Sequence, residues 1–167
     1  MLQASDVATV RMPEVVTAHG RTLTLNGMGV GTKVFVRVYV IGLYLETKTT
    51  DARTAISVDE AKRMSLLMVR DVSRQQFVQA VEKGMVRNSG PAMPALRARL
   101  DLLEHALPAL QKGNIVDFTY LPGTGTIVRG NGRELTIPGK DFADALLSVW
   151  LGPDAANRTL RHSLLGG

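Results

Sequence analysis

The chain has no cysteine. That excludes disulfides, thiolate catalysis and cysteine-ligated metals. Histidine is scarce as well. His19 sits beside a glycine in a turn, His105 lies next to Glu104 with no second histidine at ligand spacing, and His162 is near the end. No metal or other cofactor is indicated. Aromatic residues make up only 5% of the chain, too few for the stacking platforms that single-stranded nucleic acids use. The basic residues are dispersed, so no nucleic-acid partner is expected. No apolar run reaches the ~20 residues that a membrane-spanning helix needs. The start, MLQASDVATV, lacks the basic-then-apolar order of a signal peptide. It fits either a cytoplasmic N-terminus or a processed mature chain, which would be periplasmic or secreted. Gly-x-Ser-x-Gly is missing too, so no nucleophile elbow is signalled.

What is present describes a folded unit. The 167 residues fit one domain, 1–167, with about 1–13 expected to be irregular. A chain of this size buries roughly 70% of its unfolded surface, enough for a core without metal or disulfide staples. The net charge is +5, which permits contact with acidic ligands or anionic surfaces.

Periodicity then divides the chain. EVVTAHGRTLTLNG reads as two short strands around a His19-Gly20 turn. In KVFVRVYVIGLYLE, Val34, Val36, Val38 and Val40 alternate with Phe35, Tyr39, Ile41 and Leu43. This predicts a long strand covered on both faces, with a bend at Gly42. TTDARTAI reads as a short helix capped at Thr50 or Asp51, and Met64 to Val69 as a strand. Ser73 with Gln76 three residues later forms a capping box, followed by a helix with Phe77, Ala80, Val81, Gly84 and Met85 on one face. A second helix runs from Met93 to Leu107. Three antiparallel strands follow, with turns at Pro122-Gly123 and Asn131-Gly132. The helix KDFADALLSVWLG stops at Gly152, and a short helix from Asn157 to Leu164 closes the chain. Strands and helices do not alternate one by one. The pattern is α+β, a mainly antiparallel sheet with helices on one face.

The stretch GMGVGTK (Gly27 to Lys33) invites a phosphate-binding reading, but a phosphate loop needs a helix after its glycines. Here a strand follows, no Gly-Lys-Ser/Thr occurs, and Thr32 stands where a dinucleotide fingerprint needs its third glycine. The glycines are expected to serve a tight turn at the sheet rim or a close approach to a ligand.

Four motifs in order, LNGMGVGTKVFVRVYVIGLYL, MVRDVSRQQF, YLPGTGTIV and FADALLSVWLG, resemble the chalcone isomerase-like family, especially its small bacterial members. The resemblance runs from about Leu23 to Leu165. It implies an open-faced β-sandwich, a large antiparallel sheet under a layer of helices with a ligand cleft between them. Some branches of that family close a flavanone ring as intramolecular lyases; others are non-catalytic and resemble fatty-acid-binding proteins. Many bacterial members are exported. Carried over residue by residue, the family's catalytic arginine matches Gly31, its threonine Tyr39, its active-site tyrosine Phe77 and its asparagine Gly84. All four depart from the catalytic pattern.

The resemblance therefore implies a non-catalytic protein that binds a small apolar or amphipathic ligand such as a fatty acid. The expected apolar wall comprises Phe35, Tyr39, Ile41, Phe77, Val81 and Met85. Arg37 or Arg70 is expected to meet a carboxylate, with space opened by Gly31 and Gly84 and a further cation available at Lys33. Arg37 would reach the cleft by sharing a strand face with Tyr39 and Ile41, or else lie at the sheet edge. The alternatives are an isomerase with a rearranged site, and an interaction protein whose cleft is filled by its own side chains.

Overall fold

The computed structural model describes residues 4–7, 10–33 and 36–167. Nine strands and five helices are present among them. A hairpin of β1 (Ala4–Val7) and β2 (Val10–Pro13) precedes a seven-stranded antiparallel meander. The meander comprises β3 (Val15–Ala18), β4 (Arg21–Lys33), β5 (Val36–Leu45), β6 (Lys62–Met68), β7 (Ile115–Leu121), β8 (Gly125–Gly130) and β9 (Arg133–Ile137). The helices are α1 (Ala52–Ser57), α2 (Arg74–Ser89), α3 (Met93–Ala106), α4 (Lys140–Leu151) and α5 (Arg158–Leu164). This is the expected α+β architecture, a large antiparallel sheet with helices layered on one face.

Local chemistry explains many of the boundaries. Asp51 caps α1 by accepting from the Thr54 N–H at 2.9 Å. Both bonds of the Ser73–Gln76 capping box form. The β3–β4 and β8–β9 turns place two successive residues at positive φ, His19-Gly20 and Asn131-Gly132, as primed hairpin turns require. Residues 1–13 differ from expectation, since β1 and β2 pair there in register from Ala4↔Pro13 to Val7↔Val10. Gly42 differs as well. It stays in register with Met28 and Ser65 rather than bending the strand, and a Cβ there would meet the buried Met12 sulfur.

The larger core lies between sheet and helices, with Ile41, Leu43, Leu66, Met68, Phe118 and Val128 facing Val81, Met85, Leu103, Phe142 and Leu146. A smaller cluster on the opposite face gathers Met12, Leu23, Leu25, Met28, Val40 and Tyr44. The bare stretch of β4 joins the two arrangements. Leu25 pairs with Tyr44 but Gly27 pairs with Leu43, so Asn26 is an extra, bulged residue. The bulge reverses side-chain parity. Gly27, Gly29 and Gly31 therefore all face the helices, opposite Leu43, Ile41 and Tyr39. The strip they leave bare receives α5. A Cβ on Gly27 would overlap the Ser163 carbonyl, and one on Gly29 would lie 2.6 Å from Leu160 Cδ1. The buried Asn26 amide completes the seam, donating to Leu164 O (2.8 Å) and Thr49 O (2.9 Å) while Oδ1 accepts from Thr49 N. The glycines are thus neither a turn nor a phosphate loop. They make the seat of a helix.

Lys62 is a buried cation in the same layer, 5% exposed. Its Nζ donates to the last-turn carbonyls of α1, Ala55 O at 2.8 Å and Ile56 O at 2.6 Å, groups that have no partner within the helix. Burial pulls its pKa down to about 8, against a partial upward pull from Asp144 and a further downward push from Lys140.

Two outcomes follow. Gly27→Ala should destabilise the fold by about 1–3 kcal/mol through overpacking, lowering Tm by roughly 2–12 °C. Gly90→Ala, where the added carbon meets nothing and φ is helical, should be neutral or slightly stabilising. Equal melting temperatures for the two variants in calorimetry would remove the seating role. For Lys62, a depressed folded pKa means that the folded state loses stability as pH falls toward 8. Relative to Lys62→Met, the wild-type chain should therefore gain stability between pH 8 and about 10.5, measured by urea unfolding at stepped pH.

Candidate functional site

The site develops where the β4–β5 end of the sheet meets α2. Tyr39 is its centre. It belongs to β5, faces the helices, and lays its ring over Gly31, filling the space that a side chain at position 31 would need. The Trp150 indole N–H, from α4, donates to the Tyr39 hydroxyl at 2.8 Å. Burial raises the phenol's pKa and this hydrogen bond opposes the shift only in part, so the hydroxyl stays neutral at physiological pH. Among the described residues no acceptor takes the phenolic proton, which leaves one donor available.

Two hollows that share four lining residues flank that ring. The outer one has a volume of about 530 Å³ and is lined by Thr32, Lys33, Val36, Val38, Tyr39, Arg70, Asp71, Val72, Gln76, Phe77, Gln79, Ala80 and Lys83. The other, about 270 Å³, shares Thr32, Tyr39, Ala80 and Lys83 and adds Gly31, Arg87, Val149, Trp150, Ala156, Asn157 and Leu160. Together they form one cleft with valine and aromatic walls and a rim of cations. Its volume falls in the range of small-molecule sites.

The expected residues distribute unevenly around it. Tyr39, Phe77 and Arg70 line the cleft, and so does Lys33. Ile41, Val81 and Met85 lie beneath it in the main core, at 0%, 1% and 0% exposure. Phe35 lies outside the described residues, as does Val34. Arg37 turns the other way. Gly31 pairs with Tyr39 but Thr32 pairs with Arg37, so Val38 is a bulge, and the strand parity that put Arg37 beside Tyr39 is broken. Arg37 instead borders a hollow of about 780 Å³ on the opposite face, with Val10, Val30, Val40, Val69, Arg70, Asp71 and Lys112.

The space expected at the two glycines is taken. The Tyr39 ring covers Gly31, and Gly84 abuts α4, where a Cβ would lie 2.7 Å from Val149 Cγ1. Gly84 therefore lies behind the cleft wall and serves close packing of α2 on α4. Phe77 is 5% exposed and stacks parallel to Phe118, with centroids 6.2 Å apart.

Sequence reasoning missed Lys83 and the Trp150 donor. Lys83 had a signal, since Gln76, Ala80, Lys83 and Arg87 recur at helical spacing on the face of α2 beside Phe77. Trp150 had only the general rule that buried tyrosine and tryptophan polar atoms find partners.

A family model described as chalcone isomerase-like matches residues 4–166. A solved structure similar in fold is a fatty-acid binding protein from Arabidopsis thaliana, 14% identical, with a TM-score of 0.75 over 98% of this chain and 96% of that one. A search of curated proteins finds no match.

Tyr39→Phe removes the acceptor of a buried indole N–H, and an orphaned buried donor costs about 1–3 kcal/mol. The variant should be less stable by that amount in denaturant unfolding. The emission maximum of the single tryptophan should shift as well. Unchanged stability together with an unchanged spectrum would mean that the bond contributes nothing in solution.

Proposed function

The chain belongs to the chalcone isomerase-like family, and within it we propose a non-catalytic member that binds a small amphipathic ligand, such as a fatty acid, in the Tyr39 cleft. The observation that carries this reading is the cleft's division of labour. Val36, Val38, Val72, Phe77 and Ala80 supply apolar wall, while Lys33, Arg70 and Lys83 stand on the same lining with Asp71 as the only carboxylate. An acyl chain would lie along the valines toward Tyr39, and its carboxylate would meet the cations. The neutral Tyr39 hydroxyl and the Gln76 and Gln79 amides supply further polar contacts.

The family's ring-closing chemistry needs a cation to steady a developing oxyanion. Position 31 offers none, and the Tyr39 ring covers the place where one would act. Each lost donor of that kind removes about 3–4 kcal/mol of transition-state stabilisation. The fold neighbour, a fatty-acid binding protein, adds support for ligand binding.

Solvent extraction of the purified protein followed by mass spectrometry should release a lipid, and a fluorescent fatty acid should bind at micromolar concentration. Ala80→Trp should weaken that binding at least tenfold, because Ala80 borders both halves of the cleft. Its effect on stability should stay within about 0.5 kcal/mol, since Ala80 is exposed. Neither extracted lipid nor fatty-acid binding would sink the proposal. Conversion of naringenin chalcone faster than in solvent, reduced by Lys33→Ala, would move the reading to an isomerase.

A further inference from the structure

The antiparallel meander brings the end of β4, the start of β5, the end of β6 and the start of β7 to one end of the sheet. The two largest hollows bordering that end, one on each face, share Arg70 and Asp71. Between them they are lined by Lys33, Arg37, Arg70, Lys83 and Lys112, all exposed, against the single carboxylate of Asp71. These lining groups carry four of the five net positive charges of the chain. Among the described residues no ion pair or side-chain hydrogen bond engages any of the five cations. The ion pairs elsewhere, such as Arg21–Glu46 and Lys140–Asp144, neutralise other parts of the surface. Asp71 is already occupied in part, its Oδ1 accepting from the Lys112 backbone N–H at 2.8 Å.

Apolar groups accompany these charges. Val36 is 40% exposed and Ile115 52% exposed, both at this same end. The far hollow is floored by Val10, Val30, Val40 and Val69. Exposed cations around exposed aliphatic groups match the interface of an anionic bilayer, where headgroups meet the first methylenes. A nucleic acid would call for exposed aromatic platforms, and among the described residues the aromatics at this end, Tyr39 and Phe77, are turned inward on the cleft wall.

We propose that this basic end docks on anionic lipid bilayers, so that the mouth of the Tyr39 cleft faces the membrane. Docking goes beyond ligand binding, and its purpose, passing an amphiphile between bilayer and cleft, rests on that reading. Arg37 and Lys112 border only the hollow opposite the cleft. They therefore report on docking without touching the ligand site.

The test is co-sedimentation of the full chain with sucrose-loaded vesicles of phosphatidylcholine, with or without about a third of phosphatidylglycerol. Binding is expected only with the anionic lipid, falling steeply as salt rises through the range where the Debye length shrinks below ~10 Å. At about 1 kcal/mol for each basic residue near the surface, Arg37→Glu with Lys112→Glu should lower vesicle affinity roughly 30-fold or more and leave fluorescent fatty-acid binding unchanged. Lys48→Glu with Arg53→Glu, in the connection from β5 to β6 at the opposite end of the sheet, should change vesicle binding far less. Equal binding to neutral vesicles, equal loss from both double variants, or equally tight binding to a DNA duplex would overturn the proposal. If vesicle binding persists while fatty-acid binding is absent, docking stands and the ligand reading falls; the reverse result retires docking alone.

Discussion

The close approach of α5 to a strand without side chains is the contact on which the rest of this structure depends. Thirteen residues of β4 run through the sheet, and the three glycines after the Asn26 bulge present only backbone to the helices. Backbone against helix saves several ångströms of layer thickness. Leu160 and Ser163 can then lie where side chains of β4 would otherwise stand. The chain end is secured by the Asn26 amide, whose partners are all backbone groups, so no side-chain substitution elsewhere removes them. One inserted residue thus sets both the parity of the strip and its lock.

A second bulge, at Val38 on the neighbouring strand, has the complementary effect. It leaves Tyr39 on the helix side and sends Arg37 through to the other face. The consequence is electrostatic. If the strand kept strict alternation, Arg37 would stand beside Tyr39 and add a fourth cation to a cleft lining that already carries Lys33, Arg70 and Lys83. The described lining offers only Asp71, whose carboxylate is partly engaged by backbone. With the bulge, the cation stays in solvent, and the phenol is free to take the indole N–H of Trp150.

These two bulges mark the limit of what could be read from the sequence. Period, capping chemistry and turn pairs were legible because each is local. Ser73 with Gln76, Asp51 before α1, Asn131-Gly132 and the stripe of α4 all appear where their residue types demand. The α+β class follows from the order of those elements. Parity is different, because it propagates. Every residue beyond a bulge changes face, and nothing in the residue types of Asn26 or Val38 announces an extra position in the ladder. The alternation argument was therefore sound for Ile41 and Leu43 and failed for Arg37. The apolar wall was only half legible for a related reason. Helical spacing shows that Phe77, Val81 and Met85 share a face, but not the depth at which that face meets the sheet, so two of the three lie in the core below the cleft. The hairpin of β1 and β2 was missed because its residues carry little alternation of their own, and Met12 is buried by tertiary contact at Gly42.

The family comparison gains its meaning from packing rather than from the missing residues alone. A position that loses a functional side chain can remain empty, and an empty position can be refilled by a single substitution. The positions that the resemblance matches to the family's arginine and asparagine are spanned by other parts of the molecule. The Tyr39 ring lies over Gly31 and is held by Trp150, while Val149 lies against Gly84. An arginine at position 31 would require the tyrosine to leave, which would orphan the indole. An asparagine at position 84 would require α2 and α4 to part. The groups that cover these two positions are thus tied into the core that holds the helices to the sheet. What remains accessible is the outer cleft along α2, where Lys83 and Ala80 face Lys33 and Val38. Under the proposed ligand-binding reading, the cations Lys33, Arg70 and Lys83 stand along the same lining as the valines, where they would meet an anionic head.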